Sequence, residues 1–193
     1  IISSDIGNNC AIGNAYPSFE EGRKYLAPGL FGPCGYGLPA IVGAKIGRPD
    51  VPVVGFAGDG AFGIAVNELT AIGRSEWPGI TQIVFRNYQW GAEKRNSTLW
   101  FDDNFVGTEL DDDVSYAGIA QACGLKGVVA RTMDELTDAL NQAIKDQMEN
   151  GTTTLIEAMI NQELGEPFRR DAMKKPVSVA GISRDDMRPQ KVA

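Results

Sequence analysis

The chain of 193 residues, 43% of them hydrophobic, can bury one sizeable core but not two large ones. Its net charge of −7 argues against a nucleic-acid partner, whose binder is normally basic, and no apolar run approaches the roughly 18 residues needed to span a bilayer, so no membrane partner is expected. The absence of histidine excludes His-ligated metal sites and His-based triads within the chain.

Cys10, Cys34 and Cys123 are odd in number and show no CxxC spacing. They read as free thiols in a reducing, cytoplasmic setting. The chain opens on Ile1 and Ile2 without Met, basic leader or signal sequence, so it is expected to be cut from something longer.

In chain order, residues 1–4 read as a short strand and Asp5 to Asn9 as a polar turn. Residues 20–31 make a poor strand. Residues 35–46 are small, apolar and helical in character. Residues 51–57 (VPVVGFA) form a continuous apolar run before a glycine turn, as a buried parallel strand does. Residues 62–72 place Ala65, Leu69 and Ile72 on one helical side, and residues 80–85 read as the next strand.

Residues 87–113 read as irregular, and a loop that long in a compact domain is more often functional than idle. A short helix follows over 114–122, with Asp113 as its N-cap, then a strand over 125–130. Residues 133–149 are an amphipathic helix, with Thr132 and Glu135 as a capping box and Gly151 just past its end. Residues 153–160 are the last strand. The alternation predicts an α/β domain over 1–160, a doubly wound parallel sheet with helices on both faces. Residues 161–193, with Pro167, Pro176 and Pro189, read as a tail that caps the active site or an interface.

The segment that carries chemistry is Gly58-Asp59-Gly60, after a buried strand and before a helix. Twenty-six residues separate Gly60 from Asn87, which follows the next strand. In an open α/β sheet the carboxyl ends of neighbouring strands face one crevice, where ligands bind. Asp59 and Asn87 would both present an oxygen there. Mg²⁺ takes about six oxygens at roughly 2.1 Å, one or two of them from carboxylates and others from phosphates and water. Gly58 and Gly60 let backbone approach a phosphate, and the start of the following helix favours an anion. Gly35-Tyr36-Gly37-Leu38-Pro39-Ala40 also fits a dinucleotide-binding pattern. That pattern needs a strand just before it, and Pro39 falls inside its phosphate turn.

A GDG motif followed at this spacing by Asn resembles the signature of thiamine diphosphate (ThDP) enzymes. The resemblance implies ThDP and Mg²⁺ as cofactors, the metal held by Asp59, Asn87 and the Gln89 carbonyl. The stretch around Gly32, Cys34 and Tyr36 resembles the aminopyrimidine-holding segment of acetolactate-synthase-like members. Cys34 would stand where a larger apolar residue props the cofactor. Gly7, Asn8 and Asn9 resemble a turn that touches the diphosphate. Gly58, Gly60, Ala61, Phe62, Trp90 and Gly91 complete the implied cofactor contacts.

Residues 89–96 (QWGAEKRN) and 168–176 (FRRDAMKKP) resemble the sulfoacetaldehyde acetyltransferases, which convert sulfoacetaldehyde and phosphate to acetyl phosphate and sulfite. Both substrates are anions, so Lys94, Arg95, Arg169 and Arg170 become candidates to hold them, with Lys174 and Lys175 beside them. In that family the Glu that activates the aminopyrimidine belongs to a separate pyrimidine-binding domain. The resemblance therefore implies a cofactor half-site, inactive alone, that partners such a domain in a homo-oligomer. Other readings of the same residues are an acetolactate-synthase-like lyase, the small subunit of a split sulfopyruvate-type decarboxylase, and a non-catalytic ThDP-binding assembly module.

Overall fold

The computed structural model describes residues 1–163 apart from Ser75. Its elements are β1 (Ile2–Ser4), α1 (Asn8–Ala15), β2 (Tyr25–Leu26), α2 (Gly37–Gly47), β3 (Val54–Gly58), α3 (Asp59–Ala65), α4 (Leu69–Ile72), β4 (Thr81–Arg86), α5 (Gly91–Trp100), α6 (Tyr116–Ala122), β5 (Lys126–Ala130), α7 (Met133–Asn150) and β6 (Thr154–Met159). The strands form one six-stranded sheet in the order β2-β1-β3-β4-β6-β5, and every pairing is parallel. The expected parallel α/β architecture is present.

Alternation along the strands builds two cores. Ala57, Val84 and Leu155 face α2, α3 and α6, where Leu38, Ile41, Phe62 and Ala120 pack. Phe56, Ile83 and Ile156 point the other way, onto Leu136, Leu140 and Ala143 of α7. The central strands are apolar on both faces because both are covered, as in other all-parallel sheets.

The chain runs outward from β1 to β2 and then returns to β3 on the other side of β1. The strand order therefore reverses between β1 and β3. That is the topological switch point at which open sheets of this kind bind ligands.

Some elements differ from their expected form. Residues 87–113 contain a ten-residue helix, α5, whose sequence GAEKRNSTLW shows little apolar periodicity. The polar turn at Asp5 runs into α1, which is poor in helix formers. That helix is seated by close packing, since a Cβ at Gly13 would fall 2.5 Å from the Tyr25 hydroxyl and 2.8 Å from the Phe56 ring. Residues 20–31 do supply a strand, but only the two residues of β2, paired to Ile2 and Ser3.

The GDG helix starts at Asp59 itself rather than at Phe62. Ser115, not Asp113, caps α6, its hydroxyl accepting from the Gly118 N–H at 3.1 Å. The start of α7 holds to expectation: Thr132 Oγ1 accepts from Glu135 N at 3.1 Å. Glu135 reaches back to the N–H of Arg131 at 2.6 Å, and Gly151 closes the helix at φ 65°. Among the described residues no helix is long and apolar enough to cross a membrane.

Candidate cofactor site

The ends of β1, β3 and β4 open onto one cleft of about 850 Å³. Gly7, Asn8 and Asn9 follow β1 on its wall, Gly58, Asp59, Gly60 and Ala61 follow β3, and Asn87, Gln89, Trp90 and Gly91 follow β4. Gly32 and Cys34 line it from the loop before α2, and Arg95 from α5.

The turn after β1 is fixed by Asp5, a buried carboxylate that sequence reasoning left without a role. Its Oδ1 accepts from the N–H groups of Ile6 (2.8 Å) and Gly35 (3.1 Å), and its Oδ2 from that of Gly37 (2.8 Å). Asp5 thus ties the first turn to the Gly35 segment. No side chain fits at Gly37, where a Cβ would meet the Asp5 backbone nitrogen at 2.9 Å. This use of the Gly35–Gly37 backbone leaves the dinucleotide pattern without its phosphate turn.

Asp59 sits 1% exposed at the foot of the cleft. Its Oδ2 accepts from Arg86 Nη1 (3.1 Å), Asn87 N (3.0 Å) and Tyr88 N (2.7 Å), and its Oδ1 from Gly60 N (2.9 Å). The Asn87 amide oxygen faces Asp59 Oδ1 and the Gln89 carbonyl, two acceptors. Turned over, the amide nitrogen would reach them at 3.2 and 3.0 Å. Without an ion the turned amide is the better arrangement, because it removes an oxygen–oxygen repulsion. With the oxygen inward, a carboxylate, an amide and a carbonyl oxygen converge, which is the hard donor set Mg²⁺ requires. Burial, the larger influence, raises the Asp59 carboxyl above its ordinary value, while the Tyr88 N–H and the Arg86 guanidinium pull it down. A cation at Oδ1 would tip that balance toward the carboxylate.

Gly60 shows how closely the wall is built. A Cβ there would lie 2.7 Å from the Trp90 ring, so the indole stacks directly on the GDG turn. Cys34 is exposed, and partial burial, then the charges of Asp5 and Glu93, push its thiol up. A thiol held protonated is suited to contact and not to nucleophilic attack.

Several expected contacts fall elsewhere. Phe62 is fully buried in the core, edge-on to Tyr116 at 5.2 Å. Tyr36 precedes α2 as its N-cap and is absent from the cleft wall. Lys94 turns away, bonding Gln89 Oε1 at 3.1 Å and pairing with Glu109. Arg169, Arg170, Lys174 and Lys175 lie outside the described residues.

Sequence reasoning also passed over Arg86 and Glu157, both buried. The available signal was a charge inside each of two otherwise buried strands, since such residues are almost never fully buried unless paired.

The chain is 88% identical over 192 of its 193 residues to the sulfoacetaldehyde acetyltransferase of Roseovarius nubinhibens, and covers 32% of that protein. It is 82% identical to the one of Rhodobacter capsulatus, over 98% of the chain and 32% of the relative. The chain thus spans about a third of the length of the curated relatives it matches. The solved benzoylformate decarboxylase of Polynucleobacter necessarius superposes with a TM-score of 0.75 at 22% identity, over 86% of this chain and 31% of that one, a likeness of fold. Residues 5–158 match the thiamine pyrophosphate enzyme, C-terminal TPP binding domain family. That span runs from the carboxylate bracing the first turn nearly to the end of the last strand, and the chain belongs to this family of thiamine pyrophosphate (ThDP) enzyme domains.

Proposed function

We propose that this chain is the cofactor-binding part of an enzyme that converts sulfoacetaldehyde and phosphate to acetyl phosphate and sulfite, using ThDP and Mg²⁺. The observation that carries the reading is the 88% identity over 192 of the 193 residues to a sulfoacetaldehyde acetyltransferase. Of the two stretches that suggested this activity, residues 89–96 supply Gln89, Trp90, Gly91, Ala92, Glu93 and Arg95 to the cleft wall and form the start of α5.

When bound, ThDP supplies the carbanion that adds to the aldehyde carbon. The chain's own part is to bind, orient and neutralise. Asp59, Asn87 and the Gln89 carbonyl would hold Mg²⁺ against the diphosphate. Gly58 and Gly60 keep side chains out of its path, and Trp90 closes the wall above them. Arg95 is the described cation on the cleft wall and the candidate to meet a sulfonate or phosphate, which a guanidinium can grip with two parallel hydrogen bonds. Arg169 and Arg170 are proposed for the same task.

Ile12 and Tyr16 line the cleft yet are 48% and 73% exposed. Such apolar exposure beside a site supports a pyrimidine-binding domain that covers it and brings the activating carboxylate, in a homo-oligomer.

The test is turnover by the full-length protein given sulfoacetaldehyde and phosphate. Sulfite and acetyl phosphate should appear in equal amounts, and both should depend on ThDP and Mg²⁺. Release of CO₂ from sulfopyruvate, or acetolactate from pyruvate, without sulfite would replace this reading with a lyase or synthase. No turnover of any such substrate by the assembled protein would favour an assembly module.

A further inference from the structure

Asp59 is gripped from behind by a buried cation. Arg86, at the end of β4, is 1% exposed. Its Nη1 donates to Asp59 Oδ2 at 3.1 Å, and its Nη2 to the Val114 carbonyl at 3.1 Å and to the Asp111 carbonyl. Its guanidinium carbon lies 4.1 Å from the centre of the Tyr88 ring and 5.2 Å from that of Tyr116. Its Nε faces Glu157 Oε1 at 3.7 Å. Glu157 Oε2 in turn accepts from the Ser115 hydroxyl (2.9 Å) and the Ala117 N–H (3.0 Å). The Tyr116 hydroxyl donates to the Asp59 carbonyl at 3.0 Å.

Removing one guanidinium and two carboxylates from water is costly, and well-packed apolar residues often serve stability as well or better. Among the described strand residues, Arg86 and Glu157 are the only buried charged ones. The arrangement of donors shows what the charge does instead. Oδ2 of Asp59 takes three donors, from Arg86, Asn87 N and Tyr88 N, which saturates it. Oδ1 takes one, from Gly60 N, and is the oxygen beside the Asn87 amide.

We infer that Arg86 is a positioning residue for the metal: it holds Asp59 by Oδ2 so that Oδ1 alone is presented to the cation. Tyr88 and Tyr116 orient the guanidinium, and the carbonyls of Asp111 and Val114 anchor its far side. The inference rests on Asp59, Asn87 and Gln89 being the cation's ligands. It extends that reading to a residue that touches neither metal nor ThDP. A mere strut between β4 and the loop before α6 would affect stability and leave metal affinity alone.

The experiment is a Mg²⁺ titration of the full-length protein at saturating ThDP, reading bound ThDP by calorimetry, with the unfolding midpoint of each metal-free variant measured alongside. Arg86→Lys keeps the charge but not the two-pronged grip. Arg86→Met combined with Glu157→Gln removes a buried charge pair together. Both should raise the half-saturating Mg²⁺ concentration, the double variant by tenfold or more and the lysine variant by less. Excess Mg²⁺ should return ThDP uptake to the wild-type level. Unchanged or tighter metal binding in a folded variant would overturn the inference, tighter binding showing that Arg86 acts only by its charge.

Should neither variant fold, Tyr88→Leu loosens the guanidinium without altering a buried charge. It should raise the half-saturation as well, and no change there overturns the inference too. A wild type whose ThDP uptake is indifferent to Mg²⁺ would overturn the ligand assignment itself. Wild-type metal dependence with unaltered variants overturns only the role of Arg86.

Discussion

Gly60 shapes the cleft by what it lacks. Because its Cβ would press into the Trp90 ring at 2.7 Å, Gly60→Ala should displace the indole from the cleft wall. ThDP affinity is expected to fall about tenfold, or about 1.4 kcal/mol, with a shift in tryptophan fluorescence. Adding Trp90→Leu should recover part of the loss, a non-additivity expected only of residues in contact. Calorimetric titration of both variants checks this; equal affinity in Gly60→Ala and wild type would deny the close approach. At this scale the sequence was legible where chemistry is explicit. Asp59 and Asn87 stand at the strand ends, and each carries an oxygen that suits a hard cation. It was illegible where a residue acts through a distant partner. Asp5 works on backbone groups thirty and thirty-two positions on, and Arg86 on a carboxylate twenty-seven positions back, separations that no local pattern encodes.

Between elements, α7 is joined to the sheet by a polar link that its amphipathic pattern conceals. Gln147 is 2% exposed. Its Oε1 accepts from Val53 N at 2.8 Å, and its Nε2 donates to the Val53 carbonyl at 2.8 Å and to Thr81 Oγ1 at 2.9 Å. Gln147→Leu fills the same space but strands the N–H of Val53 and leaves its carbonyl only the long bond from Thr81 N at 3.4 Å. Buried groups left without partners cost on the order of 1–3 kcal/mol. A net loss of about 2 kcal/mol should lower the unfolding midpoint by roughly 4–8 °C in a domain of this size, measured by calorimetry or circular dichroism, and an unchanged midpoint would contradict the link. The same concealment explains why α5 and β2 were harder to read than α7. Met133–Asn150 carries an apolar stripe and both caps. Gly91–Trp100 is held by its surroundings, with Trp90 N at its cap bonded to the Thr108 carbonyl and Lys94 Nζ to Gln89 Oε1. Tyr25–Leu26 is a strand because β1 offers it an edge.

For the whole molecule, the strand order reverses beside the GDG strand, and the candidate site lies at that reversal. The alternation of strands and helices was enough to expect this architecture, since a parallel sheet leaves few other ways to bury continuous apolar strands. What lies above the cleft was not legible from strand and helix patterns. Its exposed wall at Ile12 and Tyr16 supports the proposal that another domain covers it and brings the activating group. The purified 193-residue chain, given ThDP, Mg²⁺, sulfoacetaldehyde and phosphate, should therefore release no measurable sulfite, whereas the full-length protein should. Sustained release by the isolated chain at ordinary enzymatic rates would contradict that assignment.

The central claim is that ThDP and Mg²⁺ bind together where Asp59, Asn87 and the Gln89 carbonyl converge. Calorimetric titration of the full-length protein with ThDP, with and without Mg²⁺, and of its Asp59→Ala variant, tests it most directly. Wild-type binding should require the metal. Asp59→Ala removes the anionic ligand and leaves the diphosphate poorly neutralised, so affinity in Mg²⁺ should fall at least tenfold, about 1.4 kcal/mol or more. ThDP binding of equal strength in the variant and the wild type, or in the wild type with and without Mg²⁺, would contradict the claim.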